Sequence, residues 1–194
     1  MKLNFILLTV FLLFARGCDF YSTSLWFFQE NGMQDEMNPL SRFLGIGWNG
    51  LIIVNILLVG GITALHYFAS FRYKAKTSFQ PKPDSIWEYA SQLYFGVPDR
   101  FLSVFFRLPK HKEVFLAHMG FVMVRVLIIA SFLATIHNCG QYFQWGVYQG
   151  FRETVGRPLY VIFAVIGISA FFFHMRFLSK EFQTYRRLQL TRRG

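Results

Sequence analysis

FARGCDFYSTS, residues 14–24, lies inside the first apolar run of the chain, directly after MKLNFILLTVFLL. Its reading decides whether the N-terminus is a cleaved signal or the first span of a membrane bundle. Leu3–Ala15 has the length of a signal-peptide apolar region, and Ala15-Arg16-Gly17 resembles a small-x-small cleavage site. Cleavage there would leave Cys18 first, as in a bacterial lipoprotein. Arg16 is an awkward residue beside such a junction, and the chain stays apolar through FYSTSLWFF to Phe28. A helix over residues 3–28 would be about 39 Å long at ~1.5 Å per residue, enough to cross a bilayer with some tilt. Thr9, Arg16, Thr23 and Glu30 recur every seven residues, with Asp19 and Trp26 between them. They form one polar stripe, which faces a bundle interior if the helix is kept. The expectation is an uncleaved first span.

The composition points the same way. Of 194 residues, 54% are hydrophobic and 15% charged, against about a quarter charged in soluble domains. Phe alone supplies 25 residues, more apolar surface than a soluble domain of this size hides. Four apolar segments stand out, at about 3–28, 43–69, 114–136 and 159–177. Each approaches or exceeds the ~20 residues that cross a bilayer as a helix. The expected fold is all-α: a single integral membrane domain, 1–194, of four transmembrane helices with short interfacial helices between the second and third. Two cysteines, Cys18 and Cys139, cannot form a disulfide framework.

The formal charge is +10, and its placement sets the topology. Arg72, Lys74, Lys76, Lys82, Arg100, Arg107, Lys110 and Lys112 lie in the connection 70–113. Arg176, Lys180, Arg186, Arg187, Arg192 and Arg193 lie at the C-terminal end, and Lys2 at the start. Only Arg42, Arg152 and Arg157 fall on the other side, so the positive-inside rule puts both termini in the cytoplasm. The basic connection and the tail 178–194 are expected to attract anionic lipid headgroups; nucleic acid is not an expected partner. Within the connection, PDSIWEYASQLYF has an amphipathic helical pattern with Asp84 or Ser85 as N-cap, and VPDRFLSVFFRLP reads as a second short helix. Both fit either the inner leaflet or a face of the protein itself.

Arg16, Asp19 and Arg125 fall inside apolar segments, where an ionised group costs on the order of 3 kcal/mol on insertion scales and needs a partner. Depth along the helices allows an Asp19–Arg125 pair; Arg16, one turn from Asp19, is the local competitor. Asn49 or Asn55 of the second span would lie nearby. Such a pair either fixes helix packing or forms a working site, and both readings remain open.

In the outer loop the pattern Asp19-x-x-x-Thr23, Gly32, Glu36-x-Asn38-Pro39 resembles a group of small bacterial and archaeal polytopic membrane proteins of no assigned activity. The resemblance covers about the first fifty residues. It implies an uncleaved first helix and no activity; with the lipobox-like start at Cys18 it leads to the expectation of a bacterial inner-membrane location. Asn38 and Pro39 also suit a capped helix start, with Glu36 ahead of its positive end. The alternative is a polar pocket in which Glu36 and Asn38 meet the Asp19–Thr23 face.

Other chemistry is sparse. GIGWNG, residues 45–50, matches G-x-G-x-x-G but follows no strand, so a dinucleotide site is not expected. Its glycines, with Gly60, Gly61 and Gly167, read as close-packing positions. His66, His118 and His174 lie on three helices near the inner boundary and are weak metal or haem candidates. No cofactor and no catalytic residue are assigned. The leading expectation is an accessory or structural membrane protein that binds a membrane partner or lipid through the polar seam of the first helix. The alternative is a small transporter or ion-handling subunit using Asp19, Arg125 and Glu36, and the third is a haem or metal protein or an intramembrane enzyme.

Overall fold

The computed structural model describes residues 2–28, 45, 47–75, 78–98, 100, 102–103 and 107–191. Among these residues the chain is helical, with no strand. The helices are α1 (Lys2–Phe27), α2 (Trp48–Tyr67), α3 (Ile86–Phe95), α4 (Lys112–Tyr142), α5 (Gly146–Val155) and α6 (Pro158–Thr191). A π-helical turn, Phe68–Arg72, continues α2. Four of them, α1, α2 with its π turn, α4 and α6, are long and apolar enough to cross a membrane. Large apolar side chains face outward along these helices, among them Phe14 at 61%, Leu57 at 69% and Ile168 at 69% exposure. Such faces would be a liability in water but lie at ease against lipid tails. The chain is a multi-pass membrane protein.

The observed helices differ from the sequence segments at their ends. α2 starts at Trp48, not near residue 43: Gly45 has φ +63° and Gly47 is extended. α6 runs on through the basic stretch expected to be a solvated tail. The cause is a second apolar face. Phe177, Leu178 and Tyr185 are buried against α3, with Glu181 among them at 7% exposure.

The third span, α4, is the hub. α1, α2 and α6 all pack on it, while α1 and α2 make much less contact with each other. Leu12, Ile62 and Val124, one from each of α1, α2 and α4, form the core among these three spans. The face α1 turns to the hub carries Leu12, Ala15, Asp19, Ser22 and Trp26, spaced alternately three and four residues as in a coiled-coil seam. Ser22 accepts a hydrogen bond from Asn138 Nδ2 at 3.2 Å, and Trp26 donates to the Asn138 carbonyl at 3.2 Å. α1 and α4 are thus tied near their C-terminal ends as well as packed along their length.

Close approach to the hub depends on two glycines. A Cβ at Gly120 would fall on the Leu65 carbonyl and 2.9 Å from the His66 backbone nitrogen of α2. One at Gly140 would strike the Tyr148 ring and lie 2.9 Å from its Cβ. The glycines expected from the sequence to allow packing, Gly60, Gly61 and Gly167, have nothing within 4 Å of a built Cβ, so none of them sets a helix contact within the chain, and Gly60 borders an open cleft.

α3 packs on the protein. Ser85 is its N-cap, accepting from Glu88 N at 3.1 Å, and Glu88 reaches back to Asp84 N at 2.9 Å. Gly96 ends it at φ +75°, a conformation that favours glycine. Tyr89, Ala90, Leu93 and Tyr94 are fully buried against Phe177, Leu178 and Tyr185. The second connecting helix expected over VPDRFLSVFFRLP is not seen among the described residues of that stretch, which hold a short 3-10 turn at 102–103 and are otherwise irregular; residues 99, 101 and 104–106 lie outside the described residues. Tyr73 closes this inner core by donating to Glu181 at 3.0 Å. Burial, and then the negative Glu181 beside it, hold the Tyr73 phenol well above its ordinary pKa, so it stays a donor. Tyr73→Phe should therefore leave a buried carboxylate short of a partner, at a cost of about 1–3 kcal/mol. Its expected readout is a lower unfolding temperature together with faster proteolysis of the 73–98 segment. An unchanged unfolding temperature would mean that the bond contributes nothing.

Candidate functional site

One polar cluster lies in the middle of the bundle. Arg16 and Asp19 are one turn apart on α1, and the Arg16 guanidinium forms an ion pair with the Asp19 carboxylate through Nη1. Its Nε and Nη2 donate to Asn55 Oδ1 of α2 at 3.0 and 2.7 Å. Nη1 also reaches Ser131 Oγ of α4 at 3.2 Å. Both charged side chains are mostly buried, at 17% and 14% exposure. The cluster joins the three spans at one level. Its planar fork of donors is nearly used up, so it behaves as a satisfied knot rather than an open ion site.

The other candidate residues lie elsewhere. Arg125 does not reach Asp19. Its side chain turns back along α4, donates through Nη1 to the Phe121 carbonyl, and lies 3.7 Å over the Phe121 ring. Helical side chains lean towards the N-terminus of their own helix, and a long cationic one snorkels towards the nearer surface. That lean takes Arg125 to α6 and away from α1, leaving Asp19 to its neighbour Arg16. Thr23 is buried one turn nearer the C-terminal end of α1 and stands apart from the knot. Asn49 is exposed. Gly32, Glu36, Asn38 and Pro39 lie outside the described residues.

The histidines separate into two places. His66 stacks on Phe5 of α1 with ring centroids 5.1 Å apart. His118 and His174 meet between α4 and α6, Nε2 to Nδ1 at 2.9 Å, beside Tyr94. Rings in direct contact leave no room for a porphyrin between them. Among the described residues no group of three His, Cys, Asp or Glu side chains is placed to hold a metal. Cys18 and Cys139 are free thiols.

A cleft of about 870 Å³ opens between α1 and α2. The two helices touch at three levels. Phe20, Phe27 and Phe28 surround Trp48, Arg16 holds Asn55, and Phe5 meets His66, Tyr67 and Phe71. Alongside these contacts the walls stay apart from Phe5 to Phe20 on α1, about 22 Å at ~1.5 Å per residue. The lining is apolar apart from Thr9, Thr63, Arg16, Asn55 and the Tyr67 hydroxyl, and Gly17, Gly60 and Ala64 leave it shallow-walled. Thr9 and Arg16, two members of the polar stripe, therefore border this cleft, while Asp19 and Ser22 face the hub.

Ser131 and the Tyr73–Glu181 pair were not singled out in the sequence. Ser131 is a small hydroxyl residue in an apolar run, and only the position of α1 shows that it faces Arg16. Glu181 did carry a signal, since it sits between Leu178 and Tyr185 at helical spacing.

No family model, no curated protein and no solved structure matches this chain.

Proposed function

We propose that the protein is a non-enzymatic accessory subunit of the membrane, and that the α1–α2 cleft receives one transmembrane helix of a partner protein. The supporting observation is a cleft about 20 Å long whose small residues, Gly17 and Gly60, have no atom within 4 Å of a built Cβ. Membrane helices associate where small residues let backbones approach, and in hydrocarbon an unpacked small-residue wall forfeits those contacts. A helix about 10 Å across occupies on the order of 1,600 Å³ over 20 Å, so the cleft would seat one to about half its girth. Thr9, Thr63 and the remaining face of Asn55 supply polar groups for hydrogen bonds to it. The Arg16–Asn55 hydrogen bonds fix the spacing of the walls. Satisfaction of Arg16 and Asp19 within the knot argues against the transporter reading, which needs a carboxylate free to exchange ions. The basic ends of the chain support a cytoplasmic placement of both termini, and the partial resemblance supports a bacterial inner membrane.

The test is purification of the full chain from its native membrane, with Gly60→Trp and Gly167→Trp variants beside it. Expected is a partner at fixed stoichiometry with the unmodified chain and with Gly167→Trp, and its loss with Gly60→Trp, all three unfolding at similar temperatures. Retention of the same partner by Gly60→Trp, or retention of lipid alone by the unmodified chain, would overturn the reading.

A further inference from the structure

On the opposite side of the hub from α1 and α2, three cations converge with no carboxylate among them. A pocket of about 350 Å³ between α4 and α6 is lined by Phe121, Arg125, Arg176, Ser179, Lys180 and Gln183. Arg125 comes from α4, and Arg176 and Lys180 from successive turns of α6. Arg176 is near enough to repel Arg125. Lys180 Nζ lies 5.8 Å from the centre of the Phe121 ring, the ring on which Arg125 rests. Among the described residues, no carboxylate pairs with any of the three. Glu181 follows Lys180 in sequence and attracts it, but its carboxylate turns to the other side of α6 to accept from Tyr73.

We propose that this pocket binds an anionic phosphate group. Like charges gathered at the membrane boundary are held together by a counter-anion, and a tetrahedral phosphate accepts from several guanidinium and ammonium donors at once. Ser179 and Gln183 add neutral donors at the rim. The depth fits a lipid headgroup. Arg176 lies about 27 Å along α6 from Pro158 and Lys180 about 33 Å, at ~1.5 Å per residue, against a hydrocarbon core of about 30 Å. The pocket therefore opens where α6 leaves the hydrocarbon, at the basic end of the bundle, where interhelical basic pockets meet phosphate headgroups. Arg125 has a place here that it lacks beside Asp19: it is the deepest of the three cations and closes the floor. The site is on a different face from the cleft and does not depend on the partner reading.

The experiment measures binding of fluorescent phosphatidylglycerol to the full chain in neutral detergent micelles, with and without inorganic phosphate as competitor. The chain should bind it saturably. Lys180→Gln and Arg125→Gln should each weaken binding about tenfold. Arg186→Gln, an exposed cation further along α6, should stay within twofold. Gln183→Glu supplies an internal carboxylate to the pocket, so it should abolish binding while unfolding at the unmodified temperature or above. Failure of millimolar inorganic phosphate to compete assigns the site to a lipid headgroup; competition assigns it to free phosphate. The proposal is overturned if neither probe binds saturably, if Arg186→Gln costs as much as Lys180→Gln, or if Gln183→Glu leaves affinity unchanged.

Discussion

Arg16→Gln is expected to destabilise the bundle by about 3–5 kcal/mol, because it leaves the Asp19 carboxylate buried and uncompensated. Asp19→Asn should cost less, since Arg16 keeps Asn55 and Ser131. The double change Arg16→Gln with Asp19→Asn should recover much of the loss, because no buried charge is then left alone and two amides can bond Asn55 and Ser131. Reversible unfolding in bicelles would read all four states of this cycle. The informative comparison is Arg125→Gln combined with Asp19→Asn. Arg125 stands on the Phe121 carbonyl and ring, so that combination should be additive within about 0.5 kcal/mol, as for sites that do not touch. If Arg125→Gln rescued Asp19→Asn and Arg16→Gln did not, the assignment of Asp19 to Arg16 would be wrong.

The second large effect concerns the hub. Gly120→Ala should cost about 1–3 kcal/mol and Gly120→Leu more, since the added carbon meets the backbone of Leu65 and His66 rather than the movable end of a side chain. α2 would have to move off α4 as a body, which would also draw Asn55 away from Arg16. Gly60→Ala and Gly167→Ala place their carbon in open space and should change stability by less than about 0.5 kcal/mol. Thermal unfolding of the four variants checks this directly. Equal effects of the Ala substitution at all three positions would mean that intrinsic helix propensity, and not the α2–α4 approach, sets the values.

Part of this structure was legible in the sequence, and the remainder depended on what stands opposite each residue. The four spans follow from apolar length alone. The first is one continuous helix, Lys2–Phe27, with Asp19, Ser22 and Trp26 on its buried seam. The capping of α3 by Ser85 also follows from local chemistry. Its docking does not, because one amphipathic pattern serves a lipid surface and a protein face equally well. The deciding feature lay ninety residues away, in the face of α6 that carries Leu178, Glu181 and Tyr185 through a stretch that reads as a charged tail. Arg125 and Asp19 have comparable depths, which made them plausible partners. Depth along a helix axis leaves out the direction of the side chain and the azimuth of the helix, and these sent Arg125 to α6. Glycine was legible as a residue that permits contact, yet at Gly60 and Gly167 there is no neighbour, and the contacts fall at Gly120 and Gly140.

The most direct test of the accessory reading is site-specific photocrosslinking in native membranes. A photoreactive side chain placed at Ile56, on the cleft wall, is compared with one at Ile168, on the exposed face of α6. The expected result is a single protein adduct of fixed mass from position 56, lost when Gly60→Trp is added, and lipid adducts alone from position 168. Lipid adducts alone from both positions, or the same protein adduct from both, would contradict a partner helix in the cleft.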